Sequence, residues 1–347
     1  MNKSSPPKVS VIMGVFNGGN YLDAAIASIV EQTFTDFEFI IIDDCSTDDS
    51  PAILKQWAAK EPRIVVFKNP ENIGLTKTLN FAINKACGEW VARQDADDIS
   101  LKHRLAKQVA FLNNNPEVGL LGTGSWIIDE NGKRDKQPRV MPKTHTLISW
   151  HKLLLNPFCH STTIFKRTLA LEHPYDETIP YTQDFELWGR MLKTTIGANL
   201  EEPLIETRFH NQRLSFTKYK LQQEIGYKII DNNLAQLLPS RPWSHKSLPG
   251  LCNLVKNSWP TDEESATHWQ LIIKLFKEFS INDNLDKSTL RAIKHQLLNR
   301  LALRITTKKG TKQKAELMLH CWQFAGLQCF TAIVKNLYKR LVNRFIS

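Results

Sequence analysis

Nowhere in this 347-residue chain is there a run of about 18 uncharged apolar residues, the length a helix needs to cross a bilayer, so no membrane span is expected. The start, Met1 to Lys8, is polar and proline-containing and lacks the apolar core of a secretory signal. Cysteines are few, at 45, 87, 159, 252, 321 and 329, and no two form a C-x-x-C pair. That excludes a zinc ribbon or a disulfide framework, and thiols inside apolar runs such as Ile40 to Cys45 suit a reducing, cytoplasmic compartment. Phosphate-loop signatures are missing as well. Gly14, Gly18 and Gly19 fit neither G-x-G-x-x-G nor a P-loop lysine pattern, and read as turn glycines.

Positive charge is in excess. Lys and Arg number 45 against 35 Asp and Glu, a formal net charge of +10. This favours anionic partners, either nucleotide phosphates or an acidic membrane surface; without an aromatic-basic motif, nucleic acid is set aside. The length allows one large domain or two.

Over the first two-thirds, strands and helices alternate. Val9 to Val15, Phe37 to Ile42, Ile64 to Phe67, Glu89 to Arg93 and Val118 to Ile128 are apolar runs read as strands. Between them, helical spacing appears over Tyr21 to Gln32, Asp48 to Lys60, Leu75 to Ala86 and Leu101 to Asn114. The pattern predicts an α/β fold with a mostly parallel central sheet covered on both faces, and ligands beyond the carboxyl ends of its strands.

Three polar clusters occupy that edge. Arg93-Gln94-Asp95-Ala96-Asp97-Asp98 packs three carboxylates into four positions after an apolar strand, an arrangement favoured when a cation carrying phosphates sits among the oxygens. An Asp-rich turn or the N-terminus of the following helix is the plain alternative. Asp44, at the tip of the second strand, suits hydrogen bonding to a ribose or base, or else an Asx turn or a cap for the helix at Asp48. Phe16-Asn17-Gly18-Gly19 follows the first strand.

Taken in order, Val9-Ser10-Val11-Ile12-Met13, Phe16-Asn17, Gln32-Thr33-Phe34-Thr35-Asp36-Phe37-Glu38, Ile42-Asp43-Asp44-Cys45-Ser46-Thr47-Asp48, Asn72-Ile73-Gly74-Leu75, Gly88-Glu89-Trp90 and Asp95-Ala96-Asp97-Asp98 resemble the family 2 glycosyltransferases with the GT-A fold. The resemblance implies a catalytic domain over residues 8–215 and a helical region over 216–347. It implies nucleotide contacts from Val15, Phe16, Asn17, Asp44, Asp95 and Ala96, with Asp44 reading a base, uracil favoured, and Phe16 beside it. It also implies a Mn²⁺ or Mg²⁺ ion on Asp97, with His210 a weaker candidate ligand. Tyr181-Thr182-Gln183-Asp184 resembles the segment carrying the general base, which makes Asp184 the base although Gln183 stands where relatives have Glu. His160 and Arg208 fall near the acceptor and diphosphate in that likeness. The N-cap of a helix over Phe185 to Lys193 is the structural alternative for Asp184.

The implied reaction is an inverting transfer from a UDP-linked sugar to a hydroxyl of a glycan or lipid-linked glycan, with an NDP-sugar hydrolase, a nucleotidyltransferase or a silent sugar-nucleotide or membrane-binding module as alternatives. Beyond Leu214, helical spacing recurs over Tyr219 to Leu238, Trp269 to Phe279, Thr289 to Ile305 and Ala315 to Phe345. In the last of these Phe330, Ile333, Leu337, Leu341 and Phe345 share one face, Lys335, Lys339, Arg340 and Arg344 the other, and no acidic residue follows Glu316. Such a helix suits the inner face of an anionic membrane, or packs on the protein with a solvated basic side.

Overall fold

The computed structural model describes residues 5–211, 213, 217–256, 265–282, 287–307, 318–319 and 324. Its first half alternates β1 (Val9–Val15), α1 (Gly19–Val30), β2 (Phe37–Asp43), α2 (Ser50–Lys60), β3 (Ile64–Lys68), α3 (Leu75–Lys85) and β4 (Trp90–Arg93). Strand β1 pairs in parallel with β2 and β4, and β2 with β3. Both faces of these strands are apolar because both are covered. Val11, Met13 and Phe39 pack with Leu22, Ile26 and Ile29 of α1 on one side. On the other, Ile12, Ile40 and Ile42 meet Leu79, Ala82 and Ile83 of α3.

The chain continues through β5 (Ile99–Ser100), α4 (Arg104–Asn114), β6 (Val118–Ile128), α5 (His145–Lys152), a 3₁₀ turn at His160–Thr162, β7 (Ile164–Lys166), α6 (Arg167–Glu172), α7 (Gln183–Met191) and β8 (Ile196–Arg208). The eight strands form one sheet in the order β3-β2-β1-β4-β7-β6-β8-β5. Strand β7 enters antiparallel between β4 and β6, which breaks the run of parallel pairings at the point where the acidic turn leaves β4.

Two helices begin later than their sequence pattern suggests. The one expected from Leu101 starts at Arg104, because Ile99 and Ser100 pair with Glu206 and Ile205 and the Leu101 N–H donates to the Leu204 carbonyl at 2.9 Å. The acidic cluster is therefore a turn between strands and not that helix's cap. Likewise, α2 starts at Ser50 instead of Asp48, whose carboxylate accepts from the N–H groups of Ser50 (3.0 Å) and Gly19 (2.9 Å).

Compactness divides the chain into residues 1–149 with 156–226, and residues 150–155 with 227–347. The first unit holds the sheet. In the second, α8 (Tyr219–Leu237, its later part), α9 (Leu248–Lys256), α10 (Ser265–Asn282) and α11 (Lys287–Thr307) bury Leu234, Leu251, Ile272, Leu275 and Ile293. The Trp150 ring packs there on Phe279 at 5.4 Å. Except for Met318, Leu319 and Phe324, the segment expected as a basic terminal helix lies outside the described residues. No described helix is long and apolar enough to cross a membrane.

Candidate active site

Strand β4 delivers Arg93 and Gln94 to the carboxyl edge of the sheet, and Gln94 shapes the turn that follows. Its Nε2 donates to the carbonyls of Asp95 (3.1 Å) and Asp98 (2.7 Å), while its Oε1 accepts from Ser100 Oγ (2.7 Å) and Arg104 Nη1 (3.1 Å). Arg104 is fully buried and also donates to Ser100 Oγ, the Arg93 carbonyl and Gln108 Oε1. Burial pulls its guanidinium down to about 9, so it stays cationic at neutral pH. The turn is thus held by buried hydrogen bonds before any ligand arrives.

Its three carboxylates differ. Asp98 is buried, with Oδ2 accepting from Ser161 Oγ at 2.5 Å and Oδ1 from the Arg208 N–H at 2.9 Å. Burial, reinforced by the charge of Asp97, pushes it up to about 7. Burial would raise Asp95 too, but the Arg93 guanidinium 2.5 Å away, with Arg213 and Arg104 behind it, holds that carboxyl below its ordinary range. Asp97 remains partly open, its Oδ2 3.0 Å from His210 Nε2. The His210 ring lies 4.9 Å from that of Tyr21, over which Arg208 stacks at 4.6 Å.

Arg208 is committed to the protein. It donates to the carbonyls of Asp97 (3.1 Å), Asp129 (3.2 Å) and Glu130 (3.2 Å). Arg213, which the sequence did not single out, is a cation that acts on all three Asp residues.

At the tips of β1 and β2, Phe16 is half exposed and follows Val15 directly, so its ring is open to a ligand at this edge. Asn17, at φ 53°, knits the two loops: its N–H donates to Ser46 Oγ (3.0 Å) and its Oδ1 accepts from the Thr47 N–H (2.8 Å). Asp44 is buried and already accepts three hydrogen bonds, from Asn69 Nδ2 (2.8 Å) and the N–H groups of Ile73 (3.0 Å) and Gly74 (2.9 Å). Asp43, not Asp44, accepts from the local backbone, its Oδ1 taking the Ser46 N–H at 2.9 Å. Gly14 lies inside β1, where an added Cβ would sit 3.1 Å from Thr78 Cγ2, so packing and not a turn requires it.

Asp184 lies in the first turn of α7, whose N-cap is Thr182 in the left-handed region (φ 58°). It is therefore not the cap that its sequence position allows. Its Oδ2 accepts from Asn156 Nδ2 at 2.7 Å. Nearby, His160 Nε2 lies 2.7 Å from the Tyr175 hydroxyl, and both Asp184 and Asp95 act on this pair electrostatically.

The donor set suits a hard divalent ion. Asp95, Asp97 and Asp98 bring carboxylate oxygens within 4.8 Å of one another, as Mg²⁺ or Mn²⁺ requires. Asp98 is engaged on both oxygens, and His210, although its Nε2 lies 3.0 Å from Asp97, is not among the residues whose ligand atoms converge.

Residues 10–173 match the model of the family described as glycosyl transferase family 2. EpsE of Bacillus subtilis (strain 168), named as a glycosyltransferase, is 38% identical over 223 residues, covering 62% of this chain and 78% of that protein. The O-antigen biosynthesis glycosyltransferase WbnJ of Escherichia coli is 34% identical over 244 residues, covering 66% and 93%. Among solved structures, S. aureus TarS 1-349 in complex with UDP-GlcNAc superposes with a TM-score of 0.55 at 19% identity, covering 95% of this chain and 89% of that one. The mannosyltransferase PcManGT from Pyrobaculum calidifontis, in complex with GDP-Man and Mn²⁺, gives 0.51 at 16% identity, covering 96% and 88%.

Proposed function

The chain belongs to glycosyl transferase family 2 and has the GT-A fold, and from that premise we propose an inverting transfer of a sugar from a UDP-linked donor to a hydroxyl of a glycan or lipid-linked glycan in surface-polysaccharide assembly. The observation that carries this reading is the acidic turn after β4, where Asp95, Asp97 and Asp98 bring carboxylate oxygens within 4.8 Å of one another at the carboxyl edge of the sheet. Such a cluster suits the metal–diphosphate end of a nucleotide-sugar donor. WbnJ is named for O-antigen biosynthesis and TarS was solved with UDP-GlcNAc, which supports both the pathway class and the donor class. The hydrolase and nucleotidyltransferase alternatives find no support from EpsE and WbnJ, which are named as glycosyltransferases.

In this reading Phe16 offers its exposed face to the base, and Val15, Asn17 and Ala96 line the nucleotide. Asp44 shapes the base pocket by latching the Asn69 to Gly74 loop, and reads the base with the lone pairs left over. Asp97, with Asp95, holds Mn²⁺ or Mg²⁺; when bound, the ion neutralises charge growing on the leaving diphosphate. Asp184, its Oδ2 fixed by Asn156, takes the acceptor hydroxyl's proton on Oδ1. Inversion follows because base and leaving group lie on opposite sides of the anomeric carbon. His160 and Arg208 stand around this centre, Arg208 by fixing the Asp97 backbone. The cationic C-terminal sequence supports contact with an anionic membrane, where lipid-linked acceptors reside.

A thermal-shift panel of nucleotide sugars, with and without Mn²⁺, tests the reading. A UDP-sugar should raise the melting temperature in Mn²⁺ and not in chelator. Absence of a shift with every nucleotide sugar would contradict it.

A further inference from the structure

Asp184 is held from outside its own helix. Its Oδ2 accepts from Asn156 Nδ2 at 2.7 Å, and among the described residues no donor reaches Oδ1. Two neighbours fix which end of the Asn156 amide faces the carboxylate. The Asn156 oxygen accepts from the Phe158 N–H at 3.2 Å, so a flipped amide would set its nitrogen against that N–H and its oxygen against the carboxylate. Nδ2 is therefore committed as a donor to Asp184.

The segment Asn156-Pro157-Phe158 that presents this donor is itself pinned to the sheet. The Pro157 carbonyl accepts from Asn199 Nδ2 (3.2 Å) of β8, a buried side chain that also donates to the Pro142 carbonyl (2.8 Å). The Phe158 ring lies over two glycines: a Cβ on Gly122 of β6 would stand 2.7 Å from it, and one on Gly197 of β8 3.3 Å. Its centroid is also 5.7 Å from that of Trp188. Trp188 follows Asp184 by one turn, so the two side chains share a face of α7. The segment thus grips α7 twice, by a hydrogen bond at the base candidate and by an aromatic contact one turn on.

We propose that Asn156 is the positioning residue of the base: it presets the Asp184 carboxylate, Oδ2 occupied and Oδ1 open, before any acceptor arrives. This rests on the reading of Asp184 as base and of a UDP-linked sugar as donor. In the step it serves, the O–H proton passes to Oδ1 and the freed oxygen bonds to the anomeric carbon; the sugar–phosphate bond breaks, its electron pair leaving on UDP. A preset base takes a proton from water as well, so the protein should release UDP slowly from its donor with no acceptor present.

Water is accordingly the probe. UDP release in Mn²⁺ is followed with UDP-glucose, UDP-galactose, UDP-GlcNAc and UDP-GalNAc, and kcat and KM are measured on the fastest. Asn156→Asp keeps the size and the oxygen that accepts from Phe158, but puts a second carboxylate where the donor was; Asn156→Ala removes both contacts. A residue serving only the local turn would tolerate Asp and suffer from Ala. The proposal expects kcat to fall about tenfold or more in both, at least as far in Asn156→Asp, with KM within about twofold of wild type. In an Asp184→Asn background, Asn156→Asp should cost nothing further, because a positioning residue has no effect once the group it positions is gone. A wild-type kcat in Asn156→Asp, the same fold loss in both backgrounds, or a wild type that binds a UDP-sugar in Mn²⁺ without releasing UDP overturns the proposal. Undiminished release by Asp184→Asn overturns the base assignment, and the proposal with it; failure of wild type to bind any UDP-sugar counts instead against the nucleotide-sugar reading.

Discussion

Replacing Asp184 by Asn removes one negative charge and almost nothing else. The N-cap of α7 is Thr182, and Asp184 makes no capping bond, so the helix loses only a favourable dipole interaction of about 0.3–1 kcal/mol. An Asn at this position still offers an oxygen to Asn156 Nδ2, whose present bond is 2.7 Å. Donor affinity should hardly move, because Asp184 lies apart from the acidic turn in sequence and acts only once an acceptor hydroxyl is bound. Transfer should fall by roughly 10²–10⁴-fold, the usual cost of losing a general base. Melting temperature, UDP affinity by calorimetry and transfer of radiolabelled sugar should be measured on one preparation. A folded Asp184→Asn protein transferring at near wild-type rate would refute the assignment. Glu186, two residues on, is a poor substitute, since Arg190 Nε and Nη2 each donate to its carboxylate at 2.7 Å.

Asp44→Asn forces an amide N–H against a backbone N–H of Ile73 or Gly74, and should lower stability by about 1–3 kcal/mol in urea unfolding and weaken UDP binding through the loosened loop. Arg104→Lys keeps the charge but cannot serve Gln94, Ser100, the Arg93 carbonyl and Gln108 together, so stability should drop by about 2–4 kcal/mol and metal-dependent nucleotide binding should fall with it. Truncation after Leu319 removes the cationic end of the sequence and should reduce co-sedimentation with anionic vesicles more than with neutral ones; indifference of the full-length protein to both would end the membrane reading.

The parallel half of the sheet was legible because β1, β2 and β4 are continuous apolar runs with helical patterns between them. The other half, where β6 and β8 pair in parallel and β7 and β5 pair antiparallel, was not. Strand β7 is three residues, Ile164–Lys166, β5 is two, and β8 carries Glu201-Glu202-Pro203 in its middle, where the β6–β8 register slips. None of these shows period-two alternation long enough to read. At the site, Asp95 and Asp97 stand out in sequence because an acid cluster is visible there, and Asp184 because its segment resembles the one that carries the family's base. What a carboxylate already holds is not visible: Asp44 and Asp98 look as free as Asp97 until Gly74, Ser161 and the Arg208 backbone are placed beside them. Asn156, Tyr175 and Arg213 gave no signal, since each acquires its partner only through tertiary contact.

The central claim is that the turn Asp95 to Asp98 binds a nucleotide diphosphate through a divalent ion on Asp97. Calorimetric titration of UDP into wild type and Asp97→Asn, each in Mn²⁺ and in chelator, tests it most directly. The account predicts binding to wild type in Mn²⁺, a large loss in chelator, and an Asp97→Asn protein that binds in Mn²⁺ no better than wild type does without it. Equal UDP affinity of wild type in Mn²⁺ and in chelator would contradict it.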